Sequence, residues 1–240
     1  MCRLFGLISE SDVDIRYWML DAVRPFVGFS NVHCHGWGIG WYENGAARVE
    51  KEPVPALASQ KFNQTAKSAR SHLFVCHLRK ATHGEQTHCN SQPFHSGNWV
   101  FAHNGTLGRR YLISKLTRAG RSIEGQTDSE VYFHWLLQNL EKNGVEGLRV
   151  AIDEVRRRKF TALNFILSDS HTLYAYWEKS PSAKVPNPDY YQLYYSEITE
   201  PERAVVVCSE RLDDKEWLRI PHRSLLIVSD QLKTQIISFS

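Results

Sequence analysis

Several features that define common protein classes are scarce or missing in this 240-residue sequence. Its five cysteines, at positions 2, 34, 76, 89 and 208, are an odd number in a chain too long to need a disulfide framework. No apolar run approaches the ~20 residues of a membrane-spanning helix. Residues 1–6 also lack the charged-then-apolar pattern of a secretory signal. These absences predict a cytoplasmic protein with reduced thiols and no membrane contact.

An excess of charge of one sign is missing too. The formal net charge is +3, and the basic residues are scattered apart from one run at residues 156–159. That run ends a predicted helix, where positive charge suits the helix dipole. Because neither a basic stripe nor a platform of aromatic residues accompanies it, we expect no nucleic-acid partner.

What is present is the composition of an ordinary globular protein, with 42% hydrophobic and 23% charged residues. Short apolar runs predict strands at residues 4–8, 36–42, 46–50, 73–79, 99–102, 161–167, 172–177, 190–195, 204–208, 225–228 and 236–239. Asn44-Gly45 predicts a hairpin turn between two of them. Helical spacing of apolar residues predicts helices at residues 15–26, 56–70, 110–118, 128–143 and 145–158. Strands at both ends with helices between them favour an α+β layered sandwich that forms one domain over residues 1–240.

The cysteine at position two carries the most chemical information. Aminopeptidases that remove an initiator Met accept a small second residue, so processing would leave Cys2 with a free thiol and a free α-amino group. That amine has a reference pKa of about 7.7–8.0 and can accept the thiol's proton directly or through one water. Cys2 would then be a nucleophile that carries its own base. Taken alone, however, Cys2 is also an ordinary residue beside an initiator Met.

Further residues offer groups that amide cleavage needs, although each has a plain structural interpretation as well. Asn104 and Gly105 could donate hydrogen bonds to an oxyanion, or form a common Asn-Gly turn. Arg79, at the end of a strand, could clamp a carboxylate through two hydrogen bonds, or lie on the surface. Asp128 could accept an ammonium group, or it or Thr127 could cap the helix that begins there.

Five segments, taken in order, resemble the class II glutamine amidotransferases of the N-terminal-nucleophile hydrolase superfamily. They are MCRLFG at residues 1–6, GWGI at 36–39, HLRKAT at 77–82, HNG at 103–105 and TDSE at 127–130. The resemblance spans roughly residues 1–170. It implies a four-layer αββα sandwich of two stacked, mainly antiparallel sheets, and a γ-glutamyl thioester formed on Cys2.

The same resemblance implies a role for each matched residue. Arg79 would bind the substrate carboxylate and Asp128 the substrate amino group. Asn104 and Gly105 would form the oxyanion hole. The glutamine pocket would also be lined by Thr82 and His83.

Two positions depart from the family's pattern. Lys80 stands where a Trp often follows the pocket arginine, which puts that wall of the pocket in doubt. The segment at residues 90–94 keeps the Asn and Pro of a related loop but lacks its usual His.

The large amidotransferases carry a synthase domain after this region, whereas this sequence stops at Ser240. One hypothesis is that the domain takes ammonia from glutamine and delivers it to a separate synthase or acceptor-binding subunit. Another is that it is a complete hydrolase for a γ-glutamyl peptide or a thiol-metabolism intermediate. In both, the partner is a small-molecule substrate. A third, a non-catalytic binding subunit, is disfavoured by the presence of Cys2, Arg79, Asn104 and Asp128.

A zinc site is the remaining alternative. Histidine and cysteine neighbour each other at residues 33–35, 76–77 and 88–89, but no CxxC or HExxH spacing occurs. We therefore expect a site without metal or cofactor, with these histidines making hydrogen bonds in the loops around it.

Overall fold

A computed structural model describes residues 2–117 and 122–239. The strands are β1 Arg3–Val13, β2 Trp37–Glu43, β3 Ala46–Glu52, β4 Ser71–Leu78, β5 Phe94–Ser96, β6 Trp99–Gly105, β7 Leu163–Ser168, β8 Thr172–Trp177, β9 Tyr194–Ile198, β10 Ala204–Cys208, β11 Leu218–Arg219, β12 Ser224–Ser229 and β13 Thr234–Ser238. The α-helices are α1 Gln60–Ser68, α2 Arg109–Lys115 and α3 Asp128–Arg156.

The strands form two antiparallel sheets. A seven-stranded sheet has the order β11-β9-β10-β1-β4-β2-β3, and a six-stranded sheet has the order β13-β12-β8-β7-β6-β5. β1 is central in the first sheet, paired with both β10 and β4. The N-terminal residues are therefore held in place along both edges of the strand, which fixes the position of Cys2.

Three clusters of buried apolar residues separate four layers. One lies between the two sheets and includes Leu4, Val75 and Ile166. A second covers the outer face of the seven-stranded sheet with α1 and short helical turns, and a third packs α2 and α3 against the six-stranded sheet. This arrangement confirms the predicted α+β, four-layer αββα sandwich.

The hairpin prediction is also confirmed. Asn44 and Gly45 join β2 to β3 with φ values of 52° and 75°. Both central residues therefore lie in the left-handed region that a two-residue hairpin turn requires. Asn and Gly are the residues that adopt this conformation at the lowest cost.

The predicted helix at residues 15–26 is wrong. β1 runs on to Val13, a single helical turn covers Tyr17–Asp21, and Ala22 is already extended at ψ 161°. Pro25 has no N–H to donate and disfavours helix at the residue before it, so the chain restarts as a 3-10 helix at Phe26–Asn31. The apolar residues of this segment are nevertheless buried under the seven-stranded sheet, because two short turns can present them as well as one helix.

Other element boundaries differ in smaller ways. The predicted separation of two helices near residue 144 is visible as non-helical backbone at Asn143 and Gly144 inside α3. The predicted strand at residues 190–195 is displaced, since β9 begins at Tyr194 and the preceding residues form a turn closed by Gln192 N–H to Asp189 O. The predicted end of α2 at residue 118 lies outside the described residues.

Candidate active site

The candidate site is a small pocket where β1, β4, β6 and α3 meet. Its walls are Cys2, Arg79, Lys80, Ala81, Thr82, His83, Gln92, His103, Gly105, Thr127, Asp128 and Ser129. Six of the seven site residues predicted from sequence are in this set. The seventh, Asn104, is fully buried between His103 and Gly105 on β6.

Cys2 precedes β1 and is half-buried. Its Sγ lies 3.4 Å from the Lys80 backbone nitrogen and 3.7 Å from the Lys80 carbonyl oxygen. Burial raises the pKa of the Cys2 thiol, although the Lys80 N–H and the Arg79 guanidinium oppose this shift. At neutral pH the sulfur is therefore protonated and needs a base to become nucleophilic. Met1, whose removal would free the α-amino group, lies outside the described residues.

Arg79 is buried, with only 3% of its surface exposed. Its guanidinium donates to the carbonyl oxygens of Glu85 at 3.0 Å, His83 at 3.1 Å and Gly84 at 3.3 Å. The surface interpretation of this arginine is therefore wrong. Three of its five N–H donors therefore hold the loop at residues 83–85 around it.

The same loop is held from the other side by Asn90 and Gln126. Asn90 Nδ2 donates to Glu85 O at 3.0 Å, and Asn90 Oδ1 accepts from the Gln126 backbone N–H at 2.7 Å. Gln126 Oε1 in turn accepts from the Glu85 N–H at 3.0 Å. The loop that carries His83 is thus hydrogen-bonded to the segment that leads into α3.

Asp128 begins α3, but Thr127 caps the helix, since the Thr127 side chain accepts from the Glu130 N–H. The Asp128 carboxylate instead accepts from the Leu107 N–H at 2.7 Å and from the Ser129 N–H at 3.0 Å. It therefore links α3 to the loop after β6 and places a negative charge in the pocket wall.

Asn104 and Gly105 end β6. The Asn104 side chain is buried, and neither its Oδ1 nor its Nδ2 has a hydrogen-bond partner among the described residues. A Cβ at Gly105 would overlap the Ala162 carbonyl, so only glycine allows this close approach of the two backbones. The plain Asn-Gly turn is therefore excluded, since both residues belong to a strand.

Thr82 stands at the open side of the pocket. Its Oγ1 lies 3.4 Å from Thr106 Oγ1, and the Thr106 N–H is bonded to Thr161 Oγ1 at 2.9 Å. The neighbouring Ala81 N–H donates to His35 Nδ1 at 2.9 Å. One of the histidines at residues 33–35 thus supports a pocket loop, as the sequence predicted for them.

Gln92 and His103 were not predicted as site residues. His103 Nδ1 lies 2.9 Å from Ser129 Oγ, and Gln92 Oε1 accepts from the His103 backbone N–H at 2.6 Å. His103 was visible in sequence only as the residue before Asn104. Gln92 carried no signal except its position before Pro93, because its role depends on a contact that only the fold creates.

Buried neutral histidines predict that the protein loses stability on acidification. Burial lowers the pKa of His33 and of His103 to about 4 in each case, well below the ordinary value near 6.5. Because each pKa is lower in the folded protein than in the unfolded chain, the unfolded chain binds protons at a higher pH. The contribution of these histidines to the unfolding free energy is therefore complete above pH 6.5 and is lost as the pH drops towards 4. Each histidine should cost about 2 kcal/mol of unfolding free energy between pH 7 and pH 5.

Urea unfolding at the two pH values measures this loss. His103→Gln should shrink the pH-dependent difference by about 2 kcal/mol, whereas His95→Gln on an exposed residue should leave it unchanged. An unfolding free energy equal at pH 7 and pH 5 in the unsubstituted protein would contradict the assignment.

No group of three or more His, Cys, Asp or Glu side chains in ranges 2–117 and 122–239 is arranged to hold a metal ion. None of the helices in those ranges has the length and apolarity to cross a membrane.

Comparison with known families shows which family the chain belongs to. A family model described as glutamine amidotransferases class-II matches residues 1–238. The chain belongs to this family. The names of the family and of its relatives are those of amidotransferases and an amide-cleaving hydrolase, which indicates an enzyme of that broad class, as the resemblance of the five segments predicted.

Individual relatives resemble this chain to different extents. An uncharacterised protein of Methanocaldococcus jannaschii is 32% identical over 188 residues, which is 73% of this chain and 50% of that protein, so the match spans only half of the relative's length. The γ-glutamyl-hercynylcysteine sulfoxide hydrolase of Mycobacterium tuberculosis (strain H37Rv) is 27% identical over 244 residues, covering 96% of this chain and 94% of the hydrolase. The structure of a glutamine aminotransferase class-II domain protein from Silicibacter pomeroyi superposes with a TM-score of 0.75 at 23% identity, covering all of both chains. At that identity the superposition establishes the fold.

Proposed function

We propose that this domain, over residues 1–240, cleaves the γ-amide of glutamine through a γ-glutamyl thioester on Cys2. The Cys2 sulfur attacks the amide carbon while its proton passes to the free α-amino group. The tetrahedral intermediate collapses with loss of ammonia, which takes up that proton. Water then adds to the thioester and releases glutamate, so glutamine and water give glutamate and ammonia.

The observation that carries this proposal is the unpartnered side chain of Asn104. A buried amide without hydrogen bonds costs about 1–3 kcal/mol, so such a group calls for an explanation, and a catalytic role is one. Asn104 adjoins Gly105, which lines the same pocket as Cys2. Asn104 Nδ2 and the Gly105 N–H would donate to the oxyanion as it forms, which is where hydrogen bonds accelerate acyl transfer most.

Charges in the pocket wall support recognition of the substrate's amino-acid end. Arg79 would bind the α-carboxylate with the donors that the loop carbonyls leave, and Asp128 would accept the α-ammonium. Thr82 and His83 would contact the side of the bound glutamine. Arg79 follows β4 and Asp128 begins α3, so their opposite charges enter the pocket from different elements. Such a pocket favours a ligand that carries both a carboxylate and an ammonium group.

The test is glutamate release from L-glutamine by purified protein whose mass shows loss of Met1. Release that depends on Cys2 would establish the glutaminase half-reaction. We propose that the ammonia then passes, in the cytosol, to a separate synthase or acceptor-binding subunit. Binding to such a subunit would raise the rate of glutamine cleavage.

A second candidate function is complete hydrolysis of a γ-glutamyl compound. It is supported by alignment with the mycobacterial γ-glutamyl-hercynylcysteine sulfoxide hydrolase over nearly the full length of both chains. A panel of glutamine, γ-glutamyl dipeptides and glutathione separates the two. Turnover of glutamine alone would exclude this second function, and preference for a γ-glutamyl peptide would establish it.

Arg79→Lys is expected to raise KM for glutamine about tenfold with a smaller change in kcat, since a point charge replaces a planar fork. Steady-state kinetics measures both constants. Arg48→Lys, on an exposed surface pair with Glu43, is the matched control and should change neither. An unchanged KM in Arg79→Lys would show that the guanidinium only supports the loop at residues 83–85.

A further inference from the structure

β6 extends beyond the strand that pairs with its outer edge. β5 ends its pairing with Phe94 opposite Phe101, so residues 102–105 of β6 have no β5 partner. On the other edge β7 continues as far as Leu163 opposite Gly105. The last residues of β6 thus form a free sheet edge inside the pocket, where an unpaired backbone N–H needs another acceptor.

Gln92 provides that acceptor at His103. In the register of β5 and β6, residue 92 falls opposite residue 103. Its backbone carbonyl, however, is packed against β2, where a Cβ on Gly38 would overlap it. The Gln92 side chain replaces the missing ladder bond, with Oε1 accepting from the His103 N–H at 2.6 Å. Gln92 is 4% exposed, so this bond is shielded from water.

The next N–H on this edge belongs to Gly105. N–H groups of alternate residues in a strand point to the same edge, so those of His103 and Gly105 both face away from β7. The residue after Gly105 fits this alternation, because the Thr106 carbonyl faces the β7 side and accepts from the Thr161 N–H. Gln92 therefore holds the edge of the strand two residues before the Gly105 donor, and Asn104 lies between them.

We propose that Gln92 is a positioning residue for the oxyanion donors of Asn104 and Gly105. Its side-chain carbonyl holds the end of β6 in register, so that both donors meet the tetrahedral intermediate on Cys2. This inference rests on the proposed glutaminase chemistry. A displacement of about 1 Å between catalytic groups can lower a rate about a hundredfold, which is how one hydrogen bond to the backbone affects catalysis.

The experiment compares three substitutions of Gln92. Gln92→Met keeps the length of the side chain and removes the acceptor, and it should lower kcat for glutamine about 10- to 100-fold with KM within about threefold. Gln92→Asn keeps the amide but is too short to reach His103, and it should behave like Gln92→Met. Gln92→His offers ring Nε2 as an acceptor at a similar distance and should retain kcat within about threefold.

Two controls separate positioning from loss of stability. Ser71→Ala removes another buried side-chain acceptor, whose Oγ accepts from the Tyr42 N–H at 3.1 Å, about 26 Å along β4 from Arg79. It should lower the urea midpoint without lowering kcat. The γ-aldehyde analogue of glutamine, which forms a tetrahedral adduct with a thiol, should bind Gln92→Met more weakly by the same factor as kcat falls, whereas glutamate should bind unchanged.

The outcomes distinguish this inference from the function on which it rests. No glutamate release by the unsubstituted protein would overturn the proposed function. Release by that protein together with unchanged kcat in Gln92→Met or Gln92→Asn would overturn the role of Gln92 alone. A fall in kcat that Gln92→His fails to restore, or that leaves aldehyde affinity unchanged, would also overturn it.

Discussion

Cys2→Ala is expected to abolish glutamate release from glutamine, because the proposed acyl-enzyme cannot form without the sulfur. The thiol makes only long contacts to the Lys80 backbone, so its removal should change the unfolding free energy by about 0.5 kcal/mol or less.

The measurement is glutamate release at saturating glutamine, with mass spectrometry of each protein to show that Met1 is absent. Cys34→Ala is the matched control, because Cys34 is likewise a half-buried free cysteine and does not line the pocket. It should retain full activity. Turnover by processed Cys2→Ala protein would overturn the proposed mechanism, as would equal losses in the two variants.

Asn104→Leu is expected to lower activity without lowering stability, whereas most polar or apolar substitutions in a protein core lower stability. If Asn104 Nδ2 donates to the oxyanion, kcat should fall about 10²- to 10³-fold. The unfolding free energy should stay the same or rise by about 1 kcal/mol, since leucine has a similar volume and no unpaired polar atoms. Steady-state kinetics and urea unfolding of one preparation test both parts.

Asn164 is a matched control from the facing position on β7, where it pairs in register with Asn104. It is equally buried, but its Nδ2 donates to Tyr191 O at 2.5 Å and its Oδ1 accepts from the Glu178 N–H at 3.1 Å. Asn164→Leu should therefore cost about 2–4 kcal/mol of stability by leaving both backbone groups unpaired. Comparable destabilisation by the two leucine substitutions, with activity kept in Asn104→Leu, would show that Asn104 is structural.

The sequence determined the parts of this protein that depend on local chemistry. The short apolar runs, the Asn44-Gly45 turn and the helical spacing of apolar residues each act over a few residues, so they predicted sheet strands, a hairpin and helices. Cys2, Arg79, Asn104 and Asp128 could be identified as candidates because their side chains carry distinctive chemistry, and Gly105 because a glycine lets the backbone approach closely. Thr82 and His83 became candidates only through the resemblance to the family. The four-layer αββα arrangement was implied by the resemblance to class II amidotransferases, which the five short segments carry only when they are taken together.

Only the tertiary structure decided whether Arg79 is exposed and whether Asp128 or Thr127 caps α3. Arg79 is enclosed by three loop carbonyls because residues 83–85 fold back over it. Asn90 and Gln126 hold that loop in place through hydrogen bonds to Glu85. Gln92 became part of the site because β5 ends before β6 does, a difference in strand length that no local pattern encodes. The helix predicted at residues 15–26 failed for a related reason. Apolar spacing reports which side chains are buried, but the path of the backbone between them is settled by the sheet they cover and by Pro25.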